Sequence, residues 1–437
     1  MHLKTTIVSA IVAFGVTAAA SQIDLRGAAP APAGVAAPPR VAAAAGASYA
    51  SLLESIDRRV DGLQRRASAR PGDWLTRMHL GSALLERAGL TNQADDFERV
   101  QAVLDEAFTL APAGSGPLLL AARFNLSIHR LDVAETYLDM LDRRAVPRGG
   151  EQAVARVLRS QIALQRGRYE VAFDELTAVA AVAPALANAD LALYHAKTGD
   201  PLAAAGLLEA ALASTGANDP QRRAWLKLQL GIVAMDRGEL RDALRHLHDA
   251  DAELSGWWLV QEHIAEVYDR RDDHRKAIEI YEDLVRTTEL PQHMDALAGL
   301  YRHTGERERA DELIARSAAR WEQLLARLPE AAIGHALQHH LQFGAPEKAL
   351  ELALANHAAR PGGDAQVTLA RAYLRAGKAA EALAVVERAL ASPYRTARLH
   401  DVAAKAHTAL GNKAAAEEQV SLCLAINPRY TGDDHSH

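Results

Sequence analysis

The sequence predicts an all-α solenoid of stacked helix hairpins, and three observations carry that reading. First, a pattern repeats at fixed displacement near the C-terminus: Ala370, Tyr373, Gly377, Ala382, Val386 and Ala389 return 34 residues later as Ala404, His407, Gly411, Ala416, Val420 and Cys423, and Pro428 closes the second copy. Second, the chain is 49% hydrophobic but only 5% aromatic, with the apolar content mostly Ala and Leu, as closely approaching helices require. Third, Val, Ile, Tyr and Phe do not gather in alternating runs, so strands are not indicated. With 437 residues there is room for one long array, and the net charge of −6 gives no basic excess to attract nucleic acid.

The elements follow in order. Residues 1–20 read as a cleaved secretory signal: Lys4 in a short basic start, an apolar stretch from Thr5, and the small residues Ala18, Ala19 and Ala20 before the cut. That stretch is too short to span a bilayer comfortably, so no membrane span is expected after cleavage, and the location is periplasmic or secreted. An uncleaved anchor is the alternative. Residues 21–47, with Pro30, Pro32, Pro38 and Pro39, read as an extended tether. Residues 48–71 read as a helix carrying Leu52, Leu53, Ile56, Val60 and Leu63 on one face and ending at Pro71-Gly72. It should cap the first face of the array, because a terminal unit has no neighbour to bury against.

Ten units fit between residues 72 and 428. The first carries Leu80, Gly81 and Leu84, an insertion around Thr91 to Asp96, then Leu104, Ala107 and Pro112. The second is weaker, with Ala122, Asn125, Ala134 and Leu138. The third has Ser160, Ala163, Gly167, Ala172 and Leu176, and the fourth Ala192, His195, Gly199, Ala204 and Leu208. The fifth has Gly231, Ala234, Gly238, Ala243 and Leu247. The sixth has Ala265, Tyr268, Ala277 and Tyr281, and the seventh Ala298, Tyr301, Gly305, Ala310 and a long second helix through Trp321. The eighth has Leu337, Gly344 and Ala349, and the pair described above completes the array; residues 429–437 form a polar tail. Glycine recurs at the turn between helices, as Gly167, Gly199, Gly238, Gly305, Gly344, Gly377 and Gly411, where a left-handed residue commonly ends a helix.

This pattern of small residues where two helices cross, large ones between hairpins, and a turn glycine resembles the tetratricopeptide repeat (TPR). The resemblance implies a right-handed superhelical solenoid, exported and bacterial, that acts without catalysis. It implies a scaffold or adaptor of the cell envelope holding a protein or peptide segment in a groove lined by first helices. Carried over unit by unit, the groove presents apolar Leu186, Leu193, Trp225, Leu228, Ile232 and Met235. Acidic Glu262, Glu266 and Asp269 follow with Arg302, and then basic Arg371, Arg375, Arg398 and Lys405. Apolar anchors of the partner would enter near Trp225 and its acidic residues would meet the Arg371–Lys405 end.

Other chemistry is thin. Cys423, the sole cysteine, sits on a small apolar repeat position and reads as packing. Asp95-Asp96 and Asp272-Asp273 fall at turns, where acids cap the next helix. His335 and His339 are four apart and would share a helix face, so a metal-handling accessory role is the alternative, with the His-bearing end of the tail as a second weak chelator. No third ligand is placed by the sequence, no phosphate loop or nucleophile elbow is present, and no cofactor is expected.

Overall fold

A computed structural model describes residues 47–144 and 150–431. The signal segment, nearly all of the tether and the last six residues of the tail lie outside the described residues. A capping helix α1 (Tyr49–Ala69) comes first, and ten hairpins follow. They are α2 (Trp74–Thr91) with α3 (Ala94–Leu110), α4 (Leu118–Ser127) with α5 (Leu131–Asp142), and α6 (Glu151–Gln165) with α7 (Tyr169–Ala180). Next come α8 (Pro184–Lys197) with α9 (Pro201–Ser214), α10 (Pro220–Asp236) with α11 (Leu240–Glu253), and α12 (Trp258–Arg270) with α13 (His274–Thr288). The array closes with α14 (Pro291–Thr304) and α15 (Arg307–Arg327), α16 (Pro329–Gln342) and α17 (Pro346–Ala359), α18 (Gly363–Arg375) and α19 (Ala379–Leu390), and α20 (Ala397–Ala409) and α21 (Lys413–Ile426).

Each helix packs on its hairpin partner and on the next hairpin. Proline opens six of the helices, where its fixed φ suits the first turn and its missing N–H is not needed. Gly167, Gly199, Gly238, Gly305, Gly377 and Gly411 do take positive φ at the turns. Gly344 does not. Elsewhere Asn92, His129 and Asp272 adopt the left-handed conformation in glycine's place. The expected insertion at Thr91 is absent as a loop: α2 and α3 extend until only Asn92 and Gln93 separate them. Nor do the acid pairs cap by hydrogen bonding. Asp96 is buried on Arg87 and the Thr91 hydroxyl, and Asp273 at the start of α13 pairs with Lys276.

The array does not stay open. It completes a superhelical turn and packs on itself. The indole N–H of buried Trp258 donates to the Leu90 carbonyl, 168 residues away, and Gln93 donates to the Thr288 carbonyl across 195. Gly363 N–H donates to the Tyr169 hydroxyl across 194 residues, and the Asn427 amide approaches the Met235 carbonyl across 192. A separation near 195 residues is about six repeats of 34. Arg327 reaches Asp95 and Glu98 on the outside of the same seam. A two-residue strand β1 (Ala47–Ser48) pairs in parallel with β2 (Leu254–Ser255), tying the start of the described chain to its middle. One apolar cluster accordingly runs from Ile56 to Ala331, and another joins Tyr169 to helices α15–α20. Among the described residues no further helix follows α21: Val420 is 46% exposed, whereas Val386, one repeat earlier, is 0%.

At Gly362 the seam has no room to spare. Gly362 has an ordinary φ of −68°, so its own turn does not require glycine. A Cβ there would stand 2.8 Å from the carbonyl oxygens of Leu164 and Gln165, while its N–H donates to Gln165 O at 2.9 Å. Gly362→Ala should therefore cost about 1–3 kcal/mol by overpacking against backbone. Gly72→Ala, with nothing within 4 Å, is the control. Denaturant midpoints for the two variants check this, and equal midpoints would remove the seam as a stability determinant.

Candidate functional site

The inferred groove residues separate into three environments. Trp225, Leu228 and Met235 are buried, as are Glu262, Glu266 and Asp269. Leu186, Leu193, Ile232, Arg371, Arg375, Arg398 and Lys405 are half-buried, and Arg302 is exposed. The expectation of a channel open along its whole length therefore needs correction. The acidic residues and Trp225, Leu228 and Met235 are interior, Leu186, Leu193 and Ile232 only partly so, and Trp225 belongs to the main apolar core rather than to a docking surface.

Three histidines continue that interior between the acidic and basic stretches. His293 on α14 stands 3.7 Å from the Glu262 carboxylate of α12. His339 on α16 shares a 2.8 Å hydrogen bond with Asp295, whose other oxygen accepts from the Trp321 indole at 2.8 Å. His335 lies flat against Trp321, with ring centroids 5.9 Å apart. Burial works against the Glu262 charge, but the His293, His263 and His335 rings outweigh it and hold its pKa below the usual carboxylate range. Burial pushes His335 down to about 4. His335 and His339 thus have internal work, and no set of three or more His, Cys, Asp and Glu side chains converges as a metal site among the described residues. The tail histidines lie outside those residues. Cys423 is buried, as packing requires.

Sequence reasoning missed His293 and the interior role of His335 and His339. The 34-residue series Met235, Asp269, His303, Leu337, Arg371 and Lys405 contains none of the three, so the period carried no signal for them, although it places His303 one repeat after Asp269. His274 bonds Asp269 at 2.9 Å and stacks edge-on against His303.

Part of the groove remains open as a cavity of about 480 Å3 at the seam, and four inferred residues meet there: Ile232, Met235, Glu266 and Arg398. Its other walls come from Lys197 and the start of α9, from Arg237 to Leu240, from Tyr394 to Ala397, and from Ala425 to Thr431 with Arg429. Asp364 accepts from Lys197 and from the Tyr394 hydroxyl, each at 2.8 Å, and Glu266 pairs with Arg270. Leu186, Leu193, Trp225, Leu228, Glu262, Asp269, Arg302, Arg371, Arg375 and Lys405 do not line this cavity.

The stacked hairpins define a helical-repeat scaffold. The tetratricopeptide repeat family model matches residues 293–326, most of α14 and α15, so the chain carries a tetratricopeptide repeat there. No curated protein matches it. Among solved structures, a tetratricopeptide repeat protein from Parabacteroides merdae is 18% identical over 56% of this chain and 93% of its own, with a TM-score of 0.35. MamA is 20% identical over 38% and 95%, with a TM-score of 0.31. A human IFIT1 dimer with m7Gppp-AAAA is 15% identical over 85% and 94%, with a TM-score of 0.42. No described helix is long and apolar enough to cross a membrane.

The His335 environment gives a pH prediction. Its folded pKa lies below the unfolded value of about 6.5, so the unfolded chain binds the extra proton. Stability from this group is present above pH 6.5 and is lost as pH falls toward 4. Asp190, raised to about 6 by burial against its Gln161 hydrogen bond, works in the opposite sense over an overlapping range. Urea midpoints of the native chain and His335→Leu, compared at pH 7 and pH 5, should converge or cross as the pH drops. A constant difference would show that His335 does not titrate on unfolding.

Proposed function

We propose that this tetratricopeptide-repeat protein is a non-catalytic adaptor of the bacterial cell envelope, binding an acidic segment of a protein partner. The single observation that carries the reading is the fate of the first-helix surface. Its acidic residues Glu262, Glu266 and Asp269 are buried with Trp225, Leu228 and Met235, while Leu186, Leu193 and Ile232 and the bases Arg371, Arg375, Arg398 and Lys405 keep part of their side chains at the surface. The charge left at that surface is basic, so the complementary segment is acidic with apolar anchors. Tetratricopeptide repeats are protein-interaction scaffolds, and binding along such a surface sums many modest contacts.

The internal contacts of these bases are consistent with a surface held in place. Arg371 donates to Gln338 at 3.1 Å, Arg375 to the Gly344 carbonyl at 2.9 Å, and Lys405 pairs with Asp401 at 2.9 Å. Each base is oriented by the fold before a partner arrives, which lowers the ordering cost of binding. The envelope setting rests on the signal-like residues 1–20.

Two measurements test this reading. A fluorescent Glu/Asp-rich dodecapeptide containing one leucine should bind the chain, and Arg371→Glu combined with Lys405→Glu should weaken it at least about tenfold. The affinity should also fall between 50 and 300 mM salt, as exposed charge pairs are screened. Unchanged affinity in the double variant would refute the basic surface as the docking site. For the setting, residues 1–47 fused to alkaline phosphatase should give an active exported enzyme beginning at Ser21. Retention inside the cell would refute the envelope assignment.

A further inference from the structure

Charge is distributed unevenly along the chain. Residues 1–72 carry eight Lys and Arg against four Asp and Glu, whereas residues 73–437 carry 41 against 51. A basic end on an acidic body marks a surface for an anionic partner. The excess gathers on the capping helix α1, which holds Arg58, Arg59, Arg65 and Arg66, with Arg70 as its C-cap. All five are exposed. The acids of α1, Glu54, Asp57 and Asp61, lie before Gly62, and none follows until Asp73.

Helix geometry makes a face of these residues. Ile56, Val60 and Ala67 are buried toward the array. At about 3.6 residues per turn Arg58 and Arg65 stand opposite them, Arg59, Arg66 and Arg70 fall on one flank, and the row runs for about 18 Å. Arg58 meets Glu54 only loosely, at 3.8 Å with both side chains 72% exposed, and Arg59 bonds Glu86 of α2. Arg65, Arg66 and Arg70 enter no ion pair among the described residues. The face also selects among anions. No large apolar side chain of α1 is exposed, so a protein partner would find no anchor there. The one aromatic of α1, Tyr49, is half-buried with its hydroxyl on the Leu90 carbonyl, so nucleic-acid bases would find no stacking platform. A row of guanidiniums needs only phosphate oxygens, which a lipid headgroup layer presents side by side. Residues 21–47 join α1 to the apolar stretch of residues 5–20. Those 27 residues reach at most about 90 Å, so α1 is the folded element which that stretch carries closest to a bilayer.

We propose that the arginine face of α1 docks on anionic phospholipid headgroups, holding the solenoid by its N-terminal end against a bilayer without entering it. Each guanidinium donates paired N–H groups to lipid phosphate oxygens. The acidic remainder of the chain is repelled by the same headgroups, which orients the solenoid with α1 toward the membrane.

The test is sedimentation of the chain beginning at Ser21, which keeps every described residue, with vesicles of phosphatidylcholine alone or with about one-third phosphatidylglycerol. Binding to the anionic vesicles should exceed binding to the neutral ones at least about tenfold, and should be lost at about 500 mM salt as the charges are screened. Arg58→Glu combined with Arg65→Glu and Arg66→Glu removes three contacts each worth about fivefold, so the affinity should fall by about a hundredfold. Should that variant fold poorly, Arg58→Gln with Arg65→Gln and Arg66→Gln takes its place. Lysine at the same three positions should retain binding. Arg371→Glu with Lys405→Glu should leave vesicle binding unchanged, which separates this face from the peptide surface. The proposal is overturned if neutral and anionic vesicles bind alike, if the triple variant binds as the native chain does, or if Arg371→Glu with Lys405→Glu abolishes vesicle binding. It is also overturned if the triple variant keeps its vesicles but loses the Glu/Asp-rich dodecapeptide or a single-stranded oligonucleotide, because a protein segment or a nucleic acid would then be the occupant.

Discussion

The contact between successive superhelical turns is the constraint on which the rest of the molecule depends. Nearest-neighbour stacking of hairpins is local and would by itself leave an open, quasi-one-dimensional array. The hydrogen bonds of Trp258 to Leu90, Gln93 to Thr288 and Gly363 to Tyr169 make it something else, since each joins hairpins far apart in sequence. Small residues permit the approach, as Gly362 does against the end of α6. Glu262, Glu266 and Asp269 lie inside the protein beside His293, Arg270 and His274 of the same or the next hairpin. Closure also creates the cavity lined by Ile232, Met235, Glu266 and Arg398.

Burying acids and imidazoles together is tolerable only because they serve one another. Asp295 accepts from Trp321 and bonds His339, while Glu262 is surrounded by three imidazole rings. A lone buried carboxylate would incur a desolvation cost of several kcal/mol. Distributed over α12, α14 and α16, the charges pair across hairpins and fix the register in which those hairpins stack. The interior is thus specified by polar pairing as well as by the small apolar residues that let the helices cross.

The repeat itself was readable from the sequence because it is local. Gly377 and Gly411, or Ala382 and Ala416, report a spacing that stacking imposes on neighbours, and ten hairpins with a capping helix follow from it. Closure was not readable, because superhelical pitch sums small rotations over six repeats and no single residue encodes it. Trp225 therefore looked like an anchor when it is core, and Gly344 looked like a left-handed turn when Asn92, His129 and Asp272 supply that conformation elsewhere. The basic positions Arg371, Arg375, Arg398 and Lys405 were assigned to a surface and remain partly on it, since charge sign and helix phase are local properties. Arg429 and the start of α11 entered the cavity only through folding across the seam.

The seam also has a consequence for biosynthesis. Gln93 cannot meet Thr288 until 195 further residues exist, which at elongation speeds of up to about 20 residues per second is roughly ten seconds or more of waiting. During that interval the early hairpins stack on each other but present their seam faces, including the Leu90 carbonyl and the Gly362-facing end of α6, to solvent. The nascent array is a ribbon before it is a coil. Closure then follows the order of synthesis, Leu90 meeting Trp258 and Gln93 meeting Thr288 before Tyr169 meets Gly363 and Met235 meets Asn427, so a ribosome that stalls before α12 releases a stacked but unclosed chain.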